Sequence, residues 1–316
     1  MAQKQWTTND FFCGAGGMGL GFKQAGFDIL GGWDFDKFAV ESYRSNVSEH
    51  GKQADIREMT YLDVPNADVW TFGFPCQDLS NANPEGEGLE GARSGLFFEV
   101  MRLLKEVDES FVRDLPKVIL AENVKGLKPY LGVLRDEYEK RGYVMKYTVL
   151  NSMNFAVPQS RERYFVVGIR KDLDSNMFSF PENDGYGGET VSNILVTEDE
   201  VAPKYYLSDK AIAYMDRERK GKPRWEYHTN KVDGVAATLT ANQWKGVPYG
   251  VIQGLPKPRR FTPRECARLQ GFPDNYEQVV SDTQFYKQMG NAVSVTVAKA
   301  LAQEIKWFLD ATVNKN

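Results

Sequence analysis

Gly73-Phe74-Pro75-Cys76-Gln77 places a cysteine directly after a proline at the end of an apolar run, the arrangement in this chain best suited to covalent chemistry. The run from Asp68 to Gly73 reads as a strand, and proline fixes the turn that presents Cys76 beyond it. A second apolar strand, Lys117 to Ala121, delivers Glu122-Asn123-Val124 to the same edge. A thiolate beside a carboxylic acid suits attack on a ring carbon that becomes electrophilic once a neighbouring ring nitrogen is protonated. A desolvated Glu122 with a raised pKa is expected to give that proton. A thiol with an ordinary pKa of about 8.5 is only a few per cent ionised at neutral pH, so positive or helix-terminus potential near Cys76 has to lower it. Cys13 and Cys266 read as inert buried thiols. A capping carboxylate is the alternative for Glu122.

Gln159-Ser160-Arg161-Glu162-Arg163 precedes the apolar run Tyr164 to Ile169, so two arginines stand at a strand start with alternating directions. Arg163 can donate to a carbonyl oxygen of a ligand while Arg161 pairs with a carboxylate; a surface ion-pair cluster fits the pattern as well. Asp10 to Gly17 follows a strand and opens a helix, and its glycines let the backbone approach an adenosyl ligand closely. A dinucleotide loop would need G-x-G-x-x-G, which Gly14, Gly16, Gly17, Gly19 and Gly21 satisfy only by selection among them. Asp34, about twenty residues beyond the glycines, is placed for ribose hydroxyls. Asp55-Ile56, after a possible third short strand, completes an adenine pocket unless Asp55 serves as a helix N-cap. Gln288 to Val293 reads as the opening of the last helix, its first N–H groups facing a ligand carboxylate or simply capped.

These residues need a sheet to position them. Strands are predicted over Trp6 to Phe12, Asp28 to Trp33, Asp68 to Gly73, Lys117 to Ala121, Val144 to Leu150 and Tyr164 to Ile169, alternating with amphipathic stretches. That is the pattern of an α/β, Rossmann-like domain, whose ligands lie beyond the carboxyl ends of the strands. After about Phe180, clusters of Gly, Asp, Asn and Pro predict a smaller, irregular second domain, and an amphipathic helix over Ala292 to Leu309 packs back on the first. The expected division is 1–185, 186–272 and 273–316, the last segment completing the first domain.

At 316 residues and 42% hydrophobic, the chain has material for a large domain and a smaller one. Three cysteines and two histidines leave no disulfide framework and little for a metal site. There is no apolar run of membrane length and no signal-peptide pattern, so a cytoplasmic protein is expected. The net charge is −4. Lys204 to Arg268 nonetheless holds 14 Lys plus Arg against 6 Asp plus Glu, a net of +8, leaving 25 against 37, a net of −12, elsewhere. Trp225, Tyr227, Trp244 and Tyr249 are interleaved there, which suits phosphates and base faces and equally a solvated, loop-rich surface.

In combination and order, FFCGAGGMGLGF (Phe11 to Phe22), GFPCQ (Gly73 to Gln77), ENV (Glu122 to Val124), QSRER (Gln159 to Arg163), RECARLQGFPD (Arg264 to Asp274) and GNAV (Gly290 to Val293) resemble the DNA cytosine-C5 methyltransferase family. The resemblance covers the chain outside about Phe180 to Val232. It implies that Cys76 adds to C6 of cytosine, that Glu122 contacts N3 and the exocyclic amine, and that Arg163 with Arg161 supports the adduct. It implies an S-adenosylmethionine pocket of Phe12, Gly14, Gly16, Gly17, Asp34, Phe35, Asp55, Ile56, Gly73, Pro75, Leu96, Asn291 and Val293. Ser80, Arg93, Thr238 and Thr240 would meet double-stranded DNA, which makes the basic segment a DNA face. The target base would leave the stack, because C6 is out of reach inside a duplex. A monomer in a bacterial or phage-infected cell, with a possible cognate endonuclease acting separately, is the implied setting. Glu85, Glu87 and Glu90 stand where relatives often have a lysine, and Ala292 replaces a common serine. The nearest rival is methylation of transfer RNA on the same scaffold; a silent DNA-binding protein and a nicotinamide dehydrogenase fit less well.

Overall fold

The computed structural model describes residues 4–75, 95–182, 185, 187–219 and 221–313. The chain divides into two units: Met1–Leu150, Glu162–Glu182 and Val297–Asn316 form the first, Asn151–Arg161 and Asn183–Thr296 the second.

Among the described residues the first unit holds seven strands: β1 (Thr7–Phe11), β2 (Asp28–Asp34), β3 (Gly51–Gln53), β4 (Val69–Phe72), β5 (Val118–Asn123), β6 (Tyr143–Asn151) and β7 (Glu162–Arg170). Their order in the sheet is β3-β2-β1-β4-β5-β7-β6. β2, β1, β4 and β5 run parallel, whereas β7 lies antiparallel to β5. Every residue of β4 and β5 is buried, as a strand covered on both faces requires. Chain order reverses between β1 and β4, the place where open α/β sheets hold ligands.

The described helices beside this sheet include α1 (Gly17–Gln24), α2 (Lys37–Asn46), α3 (Leu96–Ser110) and α4 (Leu131–Lys140). Asp36 caps α2 by accepting the Phe38 amide at 2.9 Å. α3 buries Phe97, Val100, Met101, Leu104 and Val107, one apolar stripe at helical spacing. The C-terminal helix spans Val295–Val313, later at both ends than its apolar period suggested. Its first-unit part packs on α1 so closely that a Cβ on Gly21 would stand 2.6 Å from Ala298 Cβ and 2.7 Å from the Lys299 nitrogen. Trp6 Nε1 donates to Asp310 at 2.8 Å, tying this helix to the chain segment just before β1.

In the second unit the described strands are two or three residues long, and one sheet joins Thr229–Lys231, Val251–Gln253 and Arg259–Arg260. Its helices are α5 (Asp209–Asp216), α6 (Trp225–His228), α7 (Pro263–Leu269) and α8 (Asp282–Asn291). α7 opens with a capping box between Thr262 and Glu265. The same Glu265 accepts both Arg259 guanidinium nitrogens, at 2.7 and 2.8 Å, as a buried ion pair. No helix among the described residues is long and apolar enough to cross a membrane.

The packing of α1 gives a paired prediction. Gly21→Ala is expected to lower stability by about 1–3 kcal/mol through overpacking. Gly132→Ala, on α4 where a Cβ would meet nothing within 4 Å, should be neutral or stabilising. Denaturant midpoints of the two variants check this, and equal shifts would contradict it.

Candidate active site at the strand ends

β1 ends at Phe11, and the chain then turns through Phe12 and Gly14, both with positive φ (53° and 54°), and Gly16 at 89°. The Gly14 amide donates to Asp34 Oδ2 at 2.9 Å, so the end of β2 holds the loop. The other oxygen of Asp34 accepts the Asp36 amide at 2.9 Å. Burial raises the Asp34 pKa, against the hydrogen bonds from the Asp36 and Gly14 amides. The loop has one packed side and one open side. A Cβ on Gly16 would collide with Val47 Cγ2 at 2.4 Å, whereas a Cβ on Gly14 would meet nothing nearer than the Phe12 carbonyl oxygen at 4.0 Å. Gly17 begins α1.

Phe35, next to Asp34, is 70% exposed, a large apolar face left toward solvent beside the loop. Ile56 is buried. Asp55 lies two residues past the end of β3 and forms an exposed ion pair with Arg57, which it also receives as an amide donor at 3.0 Å. Hydrogen bonding to Arg57 holds the Asp55 carboxyl below the usual carboxylate range. Leu96 is the first residue of α3 and packs against the core. An open glycine cradle, a carboxylate facing it, an exposed aromatic ring and a buried aliphatic residue are chemically suited to a nucleoside-bearing cofactor.

Register brings the next motifs to the same edge. Phe11 pairs with Phe72, and Phe72 pairs with Ala121, so Gly73 and Pro75 leave β4 beside both the glycine loop and Glu122. Glu122 lies inside β5 rather than after it. Because β7 is antiparallel to β5, its first residues lie at the carboxyl end of β5, and Arg163 Nε comes within 3.2 Å of Glu122 Oε1. Glu122 is only 8% exposed, so the pair sits largely out of water. Asn123 had no role assigned from sequence, yet its Nδ2 donates to the Phe74 carbonyl at 3.0 Å and fastens the turn after β4 to β5. Cys76, Ser80 and Arg93, with the long segment Gln77 to Ala92 and its three glutamates, lie outside the described residues.

Arg161 is 3% exposed and donates to the carbonyls of Leu239, Gly290 and Ala292 at 3.0, 3.4 and 2.9 Å, whereas Arg163 meets the Glu122 carboxylate. Alternation decided which arginine faces the sheet edge, and the sequence alone does not say where the strand begins. The GNAV segment closes α8 instead of opening the last helix, which starts at Val295. Gly290 is required there because a Cβ would lie 2.2 Å from the Thr240 carbonyl carbon. Asn291 and Val293 flank Ala292, the C-cap. Thr238 donates its hydroxyl to the Ser160 carbonyl at 2.6 Å, and Thr240 caps the short turn that follows it.

Cys13 and Cys266 are buried, and burial raises both thiols above their ordinary range. Among the described residues no group of His, Cys, Asp and Glu is arranged to hold a metal ion.

The sheet and its helices have the α/β methyltransferase fold: the chain matches the Dnmt2 methyltransferase of S. pombe with a TM-score of 0.74 and 22% identity, covering 97% of this chain and 99% of that one. Residues 6–307 match the C-5 cytosine-specific DNA methylase family. The chain is 34% identical to the type II methyltransferase M.NlaX of Neisseria lactamica, over 97% of this chain and 98% of the relative. It is 35% identical to the type II methyltransferase M.HaeII of Haemophilus aegyptius, over 95% and 92%. The chain belongs to the C-5 cytosine-specific DNA methylase family and is a DNA cytosine-C5 methyltransferase.

Asn123→Ala leaves the buried Phe74 carbonyl without its donor, at a cost of about 1–3 kcal/mol. Loosening the turn is expected to slow methyl transfer by about tenfold or more in single-turnover kinetics. A rate within twofold of the parent would show that this hydrogen bond does not position the site.

Proposed function

We propose that this enzyme transfers a methyl group from S-adenosylmethionine to C5 of a cytosine flipped out of double-stranded DNA, through a covalent bond between Cys76 and C6. The observation that carries the reading is the Glu122–Arg163 pair at the strand edge shared with the glycine loop and the turn that leads to Cys76.

Glu122 contacts N3 and the exocyclic amine, withdrawing electron density so that C6 accepts the Cys76 sulfur. Arg163 holds both Glu122 and the base carbonyl oxygen and, with Arg161, supports the covalent adduct. The bond to C6 makes C5 nucleophilic. The cofactor supplies an electrophilic methyl group on a sulfonium and leaves as S-adenosylhomocysteine. A base then removes the C5 proton, the C5–C6 double bond re-forms, and the thiolate leaves with its electron pair. Phe12, Gly14, Gly16, Gly17 and Asp34 would cradle the cofactor, with Phe35, Asp55, Ile56, Gly73, Pro75, Leu96, Asn291 and Val293 completing its pocket.

The recognition region is assigned to 186–272, inside the second unit, where Lys204 to Arg268 carries a net of +8. Salt-dependent attraction of the phosphate backbone follows from that charge. Thr238 and Thr240, with Ser80 and Arg93, are proposed to contact DNA. The segment 273–316 would complete the catalytic domain. The type II methyltransferases among the relatives support a role in DNA modification.

A duplex carrying 5-fluorocytosine at the target blocks the final proton removal. With S-adenosylmethionine present, the parent enzyme should form an adduct that survives denaturing electrophoresis and maps to Cys76. Cys76→Ser should form none while binding the cofactor within about threefold of the parent. An adduct on Cys76→Ser, or methyl transfer by it at the parental rate, contradicts the assignment.

A further inference from the structure

Beneath the glycine loop lies a buried carboxyl group that the reaction above does not use. Asp10, the fourth residue of β1, is 1% exposed. Its Oδ1 accepts the Thr71 hydroxyl of β4 at 2.9 Å. A Cβ on Gly19 of α1 would lie 2.8 Å from Asp10 Oδ2 and 2.7 Å from the hydroxyl of Tyr43 on α2, so both atoms converge on one point under the first turns of α1. Both oxygens are buried, and the hydrogen-bonding contact between the Tyr43 hydroxyl and the Asp10 carboxyl falls short of good geometry.

The ionisable groups around Asp10 are Asp34 of β2, Tyr43 of α2 and Cys13 of the loop, each of them acidic. Desolvation by burial is the largest influence on Asp10, opposed by hydrogen bonds from Thr71 and the Gly19 amide, and it brings the carboxyl to about 7. Cys13 in turn feels the charges of Asp10 and Asp34, which places the loop within electrostatic range of both. Thr71 and Tyr43 present hydroxyl rotors, able to donate to a carboxylate or accept from a carboxylic acid, so either charge state of Asp10 is accommodated without moving the backbone.

We propose that Asp10 is a charge-sensing positioning residue, whose ionisation is coupled to the charge on the cofactor sulfur and favours the sulfonium over the thioether product. The proposal rests on the S-adenosylmethionine reading. S-Adenosylmethionine and S-adenosylhomocysteine share the adenosine, amino and carboxylate groups and differ by one methyl and one positive charge. An ionised Asp10 under the loop attracts that charge, while a protonated Asp10 is indifferent to it. Preference for the sulfonium therefore rises with pH as Asp10 loses its proton, and binding of the sulfonium near neutrality expels a proton.

The test is calorimetric binding of each molecule at pH 6 and pH 8, in two buffers of different ionisation enthalpy. The parent protein should prefer S-adenosylmethionine by about fivefold more at the higher pH, and should release a proton on binding it near pH 7. Asp10→Asn should bind both molecules with a preference that changes less than twofold across the same range. Tyr43→Phe removes a donor to the ionised form, so it should move the pH dependence upward by about half a unit or more. That variant keeps the test open if Asp10→Asn fails to fold. A parental preference independent of pH, or a pH dependence unchanged in both variants, overturns the proposal while leaving the cofactor reading intact. Absence of binding by either molecule at any pH would remove both.

Discussion

The antiparallel pairing of β7 with β5 is the constraint on which the site depends. Ala121 opposite Val166, Glu122 opposite Phe165 and Asn123 opposite Tyr164 set a register that turns the first residues of β7 back to the carboxyl end of β5. Parallel pairing would have sent Arg163 to the other edge of the sheet. With the observed direction, one guanidinium enters a mostly buried edge and meets Glu122, the only arrangement in which two such charges are tolerable there. Removing either partner would cost the other its opposite charge in a mostly buried setting. The pair is therefore a chemical feature held in place by the backbone ladder and offers little evidence of stability in itself.

A second dependence runs through Asn123. The strand that supplies Glu122 also supplies the donor for the Phe74 carbonyl, so the turn toward Cys76 is fastened to the strand that bears the carboxylate. Strand ends thus carry Glu122 and the approach to Cys76, and the glycine loop is tied by the Gly14 amide to Asp34 at the neighbouring strand end. Positioning by strand ends and side-chain bonds to backbone suits group transfer, since small displacements slow such chemistry severely.

Much of this arrangement is legible in the sequence, because strands buried on both faces leave unbroken apolar runs. Val118-Ile119-Leu120-Ala121 and Val69-Trp70-Thr71-Phe72 could scarcely be anything else. The motif residues fall at the ends of such runs, and that gave Glu122, Arg163, Asp34 and the glycine loop their places. Strand direction is not written in an apolar run, nor is the first residue that joins the ladder, so the division of labour between Arg161 and Arg163 had to come from register. The GNAV segment misled for another reason. Its glycine answers a close approach of the Thr240 backbone, a tertiary contact that resembles a helix start when only local spacing is considered. Asp10 was passed over because a carboxylate inside a strand looks unremarkable until three neighbouring elements are seen to converge on it.

The central claim is that these strand ends methylate C5 of cytosine in double-stranded DNA. Incubating purified enzyme with S-adenosylmethionine bearing a deuterated methyl group, together with duplex DNA and transfer RNA in separate reactions, tests it most directly. Mass spectrometry of the digested nucleosides should find the label in 5-methyl-2′-deoxycytidine from the duplex. Label confined to the transfer RNA, or found on a nitrogen of the base, would contradict the account.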